Sequence, residues 1–419
     1  MLYKLFLILC ILLPFQIALN PTEGVDLASV RIFVLLLFFS CLAEGLKNKK
    51  LKIPFNIRTG LIFSFLFLNT FSVFVARNSD WSIRKLMFLF SIFPIYFVAV
   101  YLINSKKRLV TATKWIVSGG TLVAFLGIAQ FLAQFVFGLE RVYKFWADHI
   151  IVPFLGKTFA LAVLQNPSWL VNISGKTYLR STATFPDPHM LSFFLGIILS
   201  LALTLFLVEK KKFFYGSISL VLVIADMLTF SRGGYLGIAI GIIFLVVFFW
   251  KRIDLRMRII FIAICFLVGL ISTIPNPISG RYASIFNLRE GSNMGRIEIW
   301  QKTLSIIENK PWLGVGIGNY SLEIKPTAAY REPFYAHNTY LDIAAETGVG
   351  NAFVWIGILF LFWRAFKRKA QKEVFFLGPA LAIVIFATHS LVETAIYSST
   401  VLVLFLIVLS FSNIKSDES

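Results

Sequence analysis

The feature that most constrains this chain is the repetition of apolar segments long enough to cross the hydrocarbon core of a bilayer. A helix of about 20 apolar residues spans that core, and such segments recur about twelve times along the sequence. Hydrophobic residues make up 58% of the 419 residues and the mean hydropathy is +0.80, which excludes a soluble domain of this length. The sequence therefore predicts an all-α polytopic membrane protein, with spans near 3–19, 26–45, 59–76, 86–103, 114–137, 189–208, 213–230, 234–250, 259–275, 351–366, 374–392 and 396–412.

Basic residues between the predicted spans indicate how the chain crosses the membrane. The formal net charge is +19, and Lys and Arg concentrate in every even-numbered loop, as is typical of cytoplasmic loops. This pattern predicts that both termini are cytoplasmic, and it assigns the positive charge to topology rather than to nucleic-acid binding. One outer loop, 77–85, departs from the pattern because it carries Arg77, Arg84 and Lys85. The apolar N-terminus lacks a small-residue cleavage site and is predicted to be a retained span.

Two long segments between the spans fall on the outer side, and they set the predicted organisation of the chain. Outer segments of this length between compact spans are where a site is expected. The predicted regions are a five-helix N-terminal membrane region (1–137), an outer segment (138–188), a four-helix membrane region (189–275), an outer catalytic loop (276–350) and C-terminal membrane helices with a short tail (351–419).

The second outer segment contains His337, one of only four histidines in the chain. Apolar residues follow it at helical spacing, beginning with Leu341, so we predict that both share one face of a helix. Asn338 or Thr339 is a suitable N-cap, and Gly348 suits the left-handed residue that ends a helix. The positive end of the helix dipole disfavours a charged imidazole, so His337 is predicted to be neutral near pH 7, as a general base requires. A capping or packing histidine is the alternative.

Three outer arginines break the positive-inside pattern beside turn residues. Arg180 lies in a proline-ended approach to the sixth span, Arg232 lies in a short Ser-Arg-Gly-Gly turn between two spans, and Arg296 lies where a loop enters a helix. Guanidinium groups bind phosphate oxygens bidentately and stay charged at any working pH. The three arginines are therefore candidates for a phosphate-binding cluster, and interfacial arginines that reach lipid phosphate are the alternative.

The ordered motifs resemble the O-antigen ligase and O-antigen polymerase family. These are Arg-x-x-x-Thr-Phe before a span, Ser-Arg-Gly-Gly between spans, Gly-Arg-x-x-x-Trp, Pro-Trp-Leu-Gly-Val-Gly-x-Gly-Asn-Tyr, and His-Asn-x-Tyr-Leu-x-x-x-Ala-Glu-x-Gly, over about 180–350. A glycine expected three positions after Gly348 is replaced by Asn351, which affects the turn into the next span more than the chemistry.

The resemblance implies a glycosyltransferase on the periplasmic side of the bacterial inner membrane. Its donor would be a glycan on undecaprenyl pyrophosphate, and its acceptor would be lipid A–core for a ligase or a second lipid-linked unit for a polymerase. In that family model His337 deprotonates the acceptor hydroxyl, while Arg180 and Arg232 hold the pyrophosphate. The residues expected to bind substrate are Arg296, Tyr335, Asn338 and Tyr340.

Arginines that neutralise a pyrophosphate make a metal or other cofactor unnecessary, so we expect none, and a single displacement would invert the anomeric centre. Ligase is preferred here to polymerase on the moderate size of the outer loop. A transporter of a lipid-linked or anionic solute is the alternative from another class, although a transporter would place its charges within the spans. A purely structural membrane protein would leave the histidine and arginines unexplained.

Overall fold

The computed structural model of the chain describes residues 1–22, 25–49, 54, 56–165, 168–173, 175–250, 255, 258, 262, 291–330, 332 and 334–414. In these parts the chain is almost entirely helical. The helices are α1 (Leu2–Leu12), α2 (Ser29–Lys47), α3 (Ile57–Phe71), α4 (Ser79–Ile92), α5 (Pro94–Leu102), α6 (Lys106–Phe137), α7 (Leu139–Phe145), α8 (Ile151–Leu155), α9 (Lys157–Gln165), α10 (Pro188–Val208), α11 (Lys212–Met227), α12 (Arg232–Phe249), α13 (Gly291–Asn309), α14 (Tyr320–Ile324), α15 (Thr339–Thr347), α16 (Val349–Ala370), α17 (Leu377–His389) and α18 (Ser399–Ser410).

Two short antiparallel hairpins are the sheet structure of the described residues. They pair β1 (Ala18–Thr22) with β2 (Val25–Ala28), and β3 (Leu170–Ile173) with β4 (Lys176–Leu179). Short 3-10 turns extend several helices, and a π-helical turn at Trp146–Ile150 joins α7 to α8.

The helical content confirms the predicted all-α membrane fold, but the predicted count of twelve spans is not reached in the described residues. Seven helices there are long and apolar enough to cross a membrane: Ser29–Lys47, Ile57–Val75, Ser79–Leu102, Lys106–Phe137, Pro188–Val208, Arg232–Phe249 and Val349–Ala370. Shorter apolar helices occupy three other predicted spans, at Leu2–Phe15, Val374–His389 and Ser399–Asn413. The predicted span at 259–275 lies outside the described residues, apart from residue 262. The orientation in the membrane and the five-region division remain predictions.

Close packing of α12 against α17 depends on glycines spaced one helical turn apart. A Cβ at Gly233 would lie 2.3 Å from the His389 ring, one at Gly237 3.1 Å from the Ile385 carbonyl oxygen, and one at Gly241 2.9 Å from Leu381. Small residues at every fourth position let helix backbones approach closely inside a membrane. Gly233, the first glycine of the Ser-Arg-Gly-Gly turn, therefore lets the start of α12 lie against the end of α17.

A glycine-rich segment fastens α15 to the turn between α3 and α4. Gly314, Gly316 and Gly318 all have positive φ, the left-handed conformation that glycine adopts without strain. Next to them the Asn319 side chain accepts a hydrogen bond from the Asn78 amide at 2.7 Å and donates to the Asn78 carbonyl at 3.2 Å. The glycine-rich segment therefore acts as a brace between these parts of the fold.

We predict that Gly316→Ala loosens this brace. The new Cβ would lie 2.6 Å from the Ala76 backbone, at a φ of 88° that an alanine rarely adopts, so overpacking and strain should together destabilise the protein by roughly 2 kcal/mol. The measurement is the thermal unfolding midpoint in detergent. Gly350→Ala is the matched control, because nothing lies within 4 Å of its added Cβ; equal midpoints for both variants and the unchanged protein would contradict the prediction.

Candidate active site

Glu393 is the point at which the polar groups of the site meet. It lies in the turn between α17 and α18, with only 9% of its side chain exposed. Its Oε1 lies 2.6 Å from Nδ1 of His337, and its Oε2 lies 3.3 Å from an Arg296 guanidinium nitrogen and 3.7 Å from Nε2 of His189. A buried carboxylate is costly unless cations and donors surround it, and here three side chains from distant parts of the sequence do so.

The backbone of His337 is held in an unusual conformation. Its φ is 49°, in the left-handed region, which costs a non-glycine residue roughly 1–2 kcal/mol. The preceding residue is fixed on both sides, since Ala336 N–H donates to Asp342 at 2.8 Å and the Trp300 indole donates to the Ala336 carbonyl at 2.8 Å. On the other side Asn338 caps α15 by accepting from the amides of Tyr340 and Leu341. The surrounding contacts thus hold the imidazole toward Glu393.

Two expectations for His337 are wrong. It precedes the cap of α15 and has a left-handed backbone, so it does not share a helical face with Leu341. The pKa of His337 is raised rather than lowered, because the Glu393 carboxylate favours the imidazolium more than burial and Arg296 disfavour it. A specific ion pair at hydrogen-bond distance therefore outweighs the helix dipole that suggested a neutral imidazole. Of the two predicted caps, Asn338 caps α15 and Thr339 is its first helical residue, and the predicted helix end at Gly348, with φ 89°, is confirmed.

The Glu393 carboxyl stays ionised because of its partners. Burial by itself raises the pKa of this group, but His337, His189 and Arg296 together outweigh burial and hold the pKa well below its usual range. Glu393 therefore stays negatively charged over the pH range in which His337 titrates. A carboxylate bound to one imidazole nitrogen leaves the other nitrogen for proton transfer, which is the arrangement of a general base.

Three of the four histidines of the chain lie in this region. Ser231, the N-cap of α12, places its Oγ 3.0 Å from Nδ1 of His189 and 3.2 Å from Nε2 of His389. The glycine spacing of α12 makes this possible, because a side chain at Gly233 would occupy the space of the His389 ring. Ser231 therefore links His389 on α17 to His189 by hydrogen-bond contacts, and His189 in turn lies 3.7 Å from Glu393.

Arg180 lies beside the same turn. It is buried, and its guanidinium donates to the Thr229 carbonyl at 2.7 Å and to the Ser168 carbonyl at 2.9 Å. Arg180 and Glu393 both influence the pKa of Asp187. Burial and the negative charge of Glu393 raise that pKa to about 6, and the positive charge of Arg180 opposes the rise. Arg180 is therefore within electrostatic reach of the site, on the side of the β3–β4 hairpin.

Arg232 is the first residue of α12 and is also buried. Because it follows Ser231, its backbone lies next to the two histidines. Of the three arginines predicted to lie beside His337, Arg296 contacts the same carboxylate, Glu393. Arg180 and Arg232 instead lie at the turn between α11 and α12.

The other predicted substrate-binding side chains have partners within the fold. The Tyr340 hydroxyl donates to the Ala387 carbonyl at 2.8 Å, and Asn338 is the cap of α15. The Tyr335 ring lies 6.3 Å from the Tyr397 ring, and Lys85 bridges Tyr397 to Glu346 with its Nζ 2.7 Å from a Glu346 oxygen. Contact of these residues with substrate remains a prediction. Lys85, which was predicted to lie in the basic loop 77–85, lies on α4 in the structure.

Sequence reasoning missed Glu393, His189, His389 and Ser231. The available signal was their position, because each lies at or beside the end of an apolar segment, where an acid or histidine needs a partner. Among the described residues, no group of three or more His, Cys, Asp or Glu side chains is arranged to hold a metal ion. The expectation of a metal-free reaction remains a prediction.

Comparisons with known proteins agree with the motifs. Residues 217–356 match the family model described as O-antigen ligase, and this part of the chain holds Arg232, Arg296 and His337. The chain is also 29% identical over 232 residues to the ComP-specific O-oligosaccharyltransferase of Acinetobacter baylyi. That match covers 51% of this chain and 40% of the relative, so the chain spans less than half of the relative's length. Together with the ordered motifs and the all-α membrane fold, these matches support the resemblance of the chain to the O-antigen ligase family.

Proposed function

We propose that this protein is a membrane glycosyltransferase that moves a glycan from a lipid pyrophosphate to an acceptor hydroxyl. The observation that carries the proposal is the contact of His337 Nδ1 with Glu393, at 2.6 Å. The His337 side chain is 40% exposed although its carboxylate partner is buried, so substrate has access to the imidazole. The family match supports glycosyl transfer as the reaction in which this base acts.

The reaction is a single displacement in this account. Neutral His337 takes the proton of the acceptor hydroxyl at Nε2, the acceptor oxygen forms a bond to the anomeric carbon, and the bond from that carbon to the pyrophosphate oxygen breaks. The pyrophosphate leaves with the electron pair, and the anomeric configuration is inverted. Glu393 stabilises the imidazolium that forms and fixes the ring orientation, as the carboxylate of a catalytic triad does.

The arginines would act on the leaving group. Arg180 and Arg232 are the candidates to hold the undecaprenyl pyrophosphate, since fixed guanidinium groups stabilise charge that develops on phosphate oxygens. Arg296 is already engaged with Glu393. We assign Arg296 to a position between His337 and the donor pyrophosphate. Its positive charge also limits the rise that Glu393 causes in the pKa of His337.

The acceptor class has three candidates. A ligase would use lipid A–core, and this is our first choice; a polymerase of the same family would use a second lipid-linked unit. A protein hydroxyl is the third, because the curated relative is by its name an oligosaccharyltransferase specific for ComP. A transporter of a lipid-linked or anionic solute is the alternative from another class, and the histidine–carboxylate pair favours chemistry over transport.

The periplasmic face of the inner membrane, with both termini in the cytoplasm, is the proposed location. It rests on the basic even-numbered loops and on the family resemblance.

His337→Ala and Arg232→Lys should separate the base from the donor anchor. In proteoliposomes with a lipid-pyrophosphate-linked glycan, His337→Ala should bind donor normally and transfer at least 100-fold more slowly, since it loses only proton transfer. Arg232→Lys should weaken donor binding, because a point charge does not replace a bidentate guanidinium. Lipid A–core, a second lipid-linked unit and a serine-containing peptide are supplied in parallel, and the product formed identifies the acceptor. Normal transfer by His337→Ala to every acceptor would refute the proposal.

The position of the acid limb in the pH–rate profile should depend on the ion pair between His337 and Glu393. The raised pKa of His337 means that activity is lost as the pH falls through a value above the ordinary 6.5 of histidine. Glu393→Gln should move this limb to lower pH and reduce the maximal rate by roughly 100-fold or more, because the ring loses both its charge partner and its fixed tautomer. Glu298→Gln, an exposed acid on α13, is the control. An unmoved limb in Glu393→Gln would contradict the assignment.

A further inference from the structure

The Ser231 hydroxyl has one proton and two lone pairs, and three groups surround it. Nδ1 of His189 lies at 3.0 Å, Nε2 of His389 at 3.2 Å and the Gly234 amide nitrogen at 3.3 Å. The Gly234 N–H can only donate, so it takes one lone pair. The hydroxyl proton then goes to one imidazole, and the other imidazole must donate into the remaining lone pair.

The second nitrogen of His189 decides between these two arrangements. If Ser231 donates to His389, a neutral His189 carries its proton on Nδ1 and turns the bare lone pair of Nε2 toward the Glu393 carboxylate, 3.7 Å away. If Ser231 donates to His189, the proton of His189 is on Nε2 and its N–H dipole points at the carboxylate. The second arrangement replaces a repulsion by an attraction.

The surroundings of His389 are compatible with the second arrangement. Its ring is fully buried and stacks on Phe193 with centroids 3.6 Å apart and planes 4° apart. Nδ1 of His389 has no hydrogen-bond partner in the described part of the chain, which fits a neutral ring that donates from Nε2 to Ser231.

We infer that Ser231 and His189 form a positioning pair that keeps an N–H of His189 directed at Glu393. This inference rests on the proposed function, because it concerns the carboxylate that orients the base. The 3.7 Å separation is longer than a hydrogen bond, and such contacts can tighten when substrate fills a site. His189 contacts neither the acceptor nor the donor in this mechanism. Its N–H attracts the Glu393 carboxylate and so weakens the effect of that carboxylate on His337.

The charged and titratable groups around His189 come from every element packed on it. Asp187 accepts from its backbone amide at 2.8 Å. Glu393 and Arg296 face its Nε2 side from the α17–α18 turn and from α13, His389 lies beyond Ser231, and Arg180 lies within electrostatic reach of Asp187. Among the described residues, Ser231 lies at hydrogen-bond distance from Nδ1 of His189, and Glu393 faces Nε2 at 3.7 Å.

The test compares His189→Asn with His189→Gln in the proteoliposome assay. The asparagine amide reaches the place of Nδ1 and can keep the Ser231 contact, but it does not reach Glu393. The glutamine amide reaches the place of Nε2 and can present an N–H to the carboxylate. Neither side chain titrates, so any acid limb that remains belongs to another group.

We expect His189→Asn to move the acid limb up by roughly half a pH unit or more, because Glu393 then holds the proton on His337 more tightly. Turnover at pH 7 should fall severalfold while the KM for donor stays the same. His189→Gln should keep the limb of the unchanged protein. Ser231→Ala should resemble His189→Asn, and Ser398→Ala, which removes the equivalent cap from α18, should leave the limb in place and so controls for loss of a helix cap.

Unmoved limbs in both His189→Asn and Ser231→Ala would overturn the inference. So would a changed KM for donor with an unmoved limb, since it would place His189 on the pyrophosphate, and so would equal loss of the limb in Asn and Gln variants, since His189 would then be the titrating group. The first two results leave the proposed function standing as long as His337→Ala is inactive, whereas the third would also remove the assignment of the acid limb to His337. Full activity of His337→Ala would instead remove the function itself.

Discussion

The contact between His337 and Glu393 is the interaction on which the rest of the site depends. A carboxylate buried at the end of two short apolar helices is unfavourable without cations and donors around it. The fold supplies them from α10, α13 and the segment before α15. Elements far apart in the sequence therefore converge on one acid. The Thr339 hydroxyl adds a hydrogen bond to the Glu393 carbonyl at 3.0 Å, which ties the start of α15 to the same turn.

Backbone strain is concentrated around this contact. Of the described non-glycine residues with positive φ, Ala183, Phe230 and His337 lie next to the site, and Lys49 is the other. Each costs about 1–2 kcal/mol and persists only because its surroundings fix it. Ala183, for example, donates its amide to Gln130 at 2.8 Å while its carbonyl accepts from the Trp146 indole at 2.8 Å. The π-helical turn between α7 and α8 thus helps to hold Ala183 in its strained conformation.

Much of this arrangement follows from the sequence. Hydropathy predicted most of the long helices, turn chemistry predicted a cap at Asn338 or Thr339 and the end of α15 at Gly348, and the broken charge pattern marked the three arginines. The predicted span 374–392 ended too late, because its helix stops at His389 and leaves Glu393 in a turn. Glu393 lay between the last two predicted spans in either case, and only the tertiary fold brings it to His337, 56 residues away.

The direction of the His337 pKa could not be predicted locally. A helix terminus contributes a modest field, whereas the Glu393 carboxylate lies at hydrogen-bond distance and comes from a position 56 residues away. Likewise, the sequence near Ser231 does not indicate that two histidines lie beside its hydroxyl, because His189 and His389 are placed there by the packing of α10 and α17 on α12. Polar residues at the ends of apolar segments indicate candidate site residues in the sequence. Which of them pair with one another is decided by the tertiary fold.

The most direct measurement is the nitrogen NMR spectrum of the histidine side chains in lipid nanodiscs, followed across pH. The chain has four histidines, so His337 can be identified by comparison with His337→Ala. Neutral His337 should carry its proton on Nδ1, with a bare Nε2, and should titrate above the ordinary histidine value. A proton on Nε2, or titration at or below that value, would show that Glu393 does not orient the base.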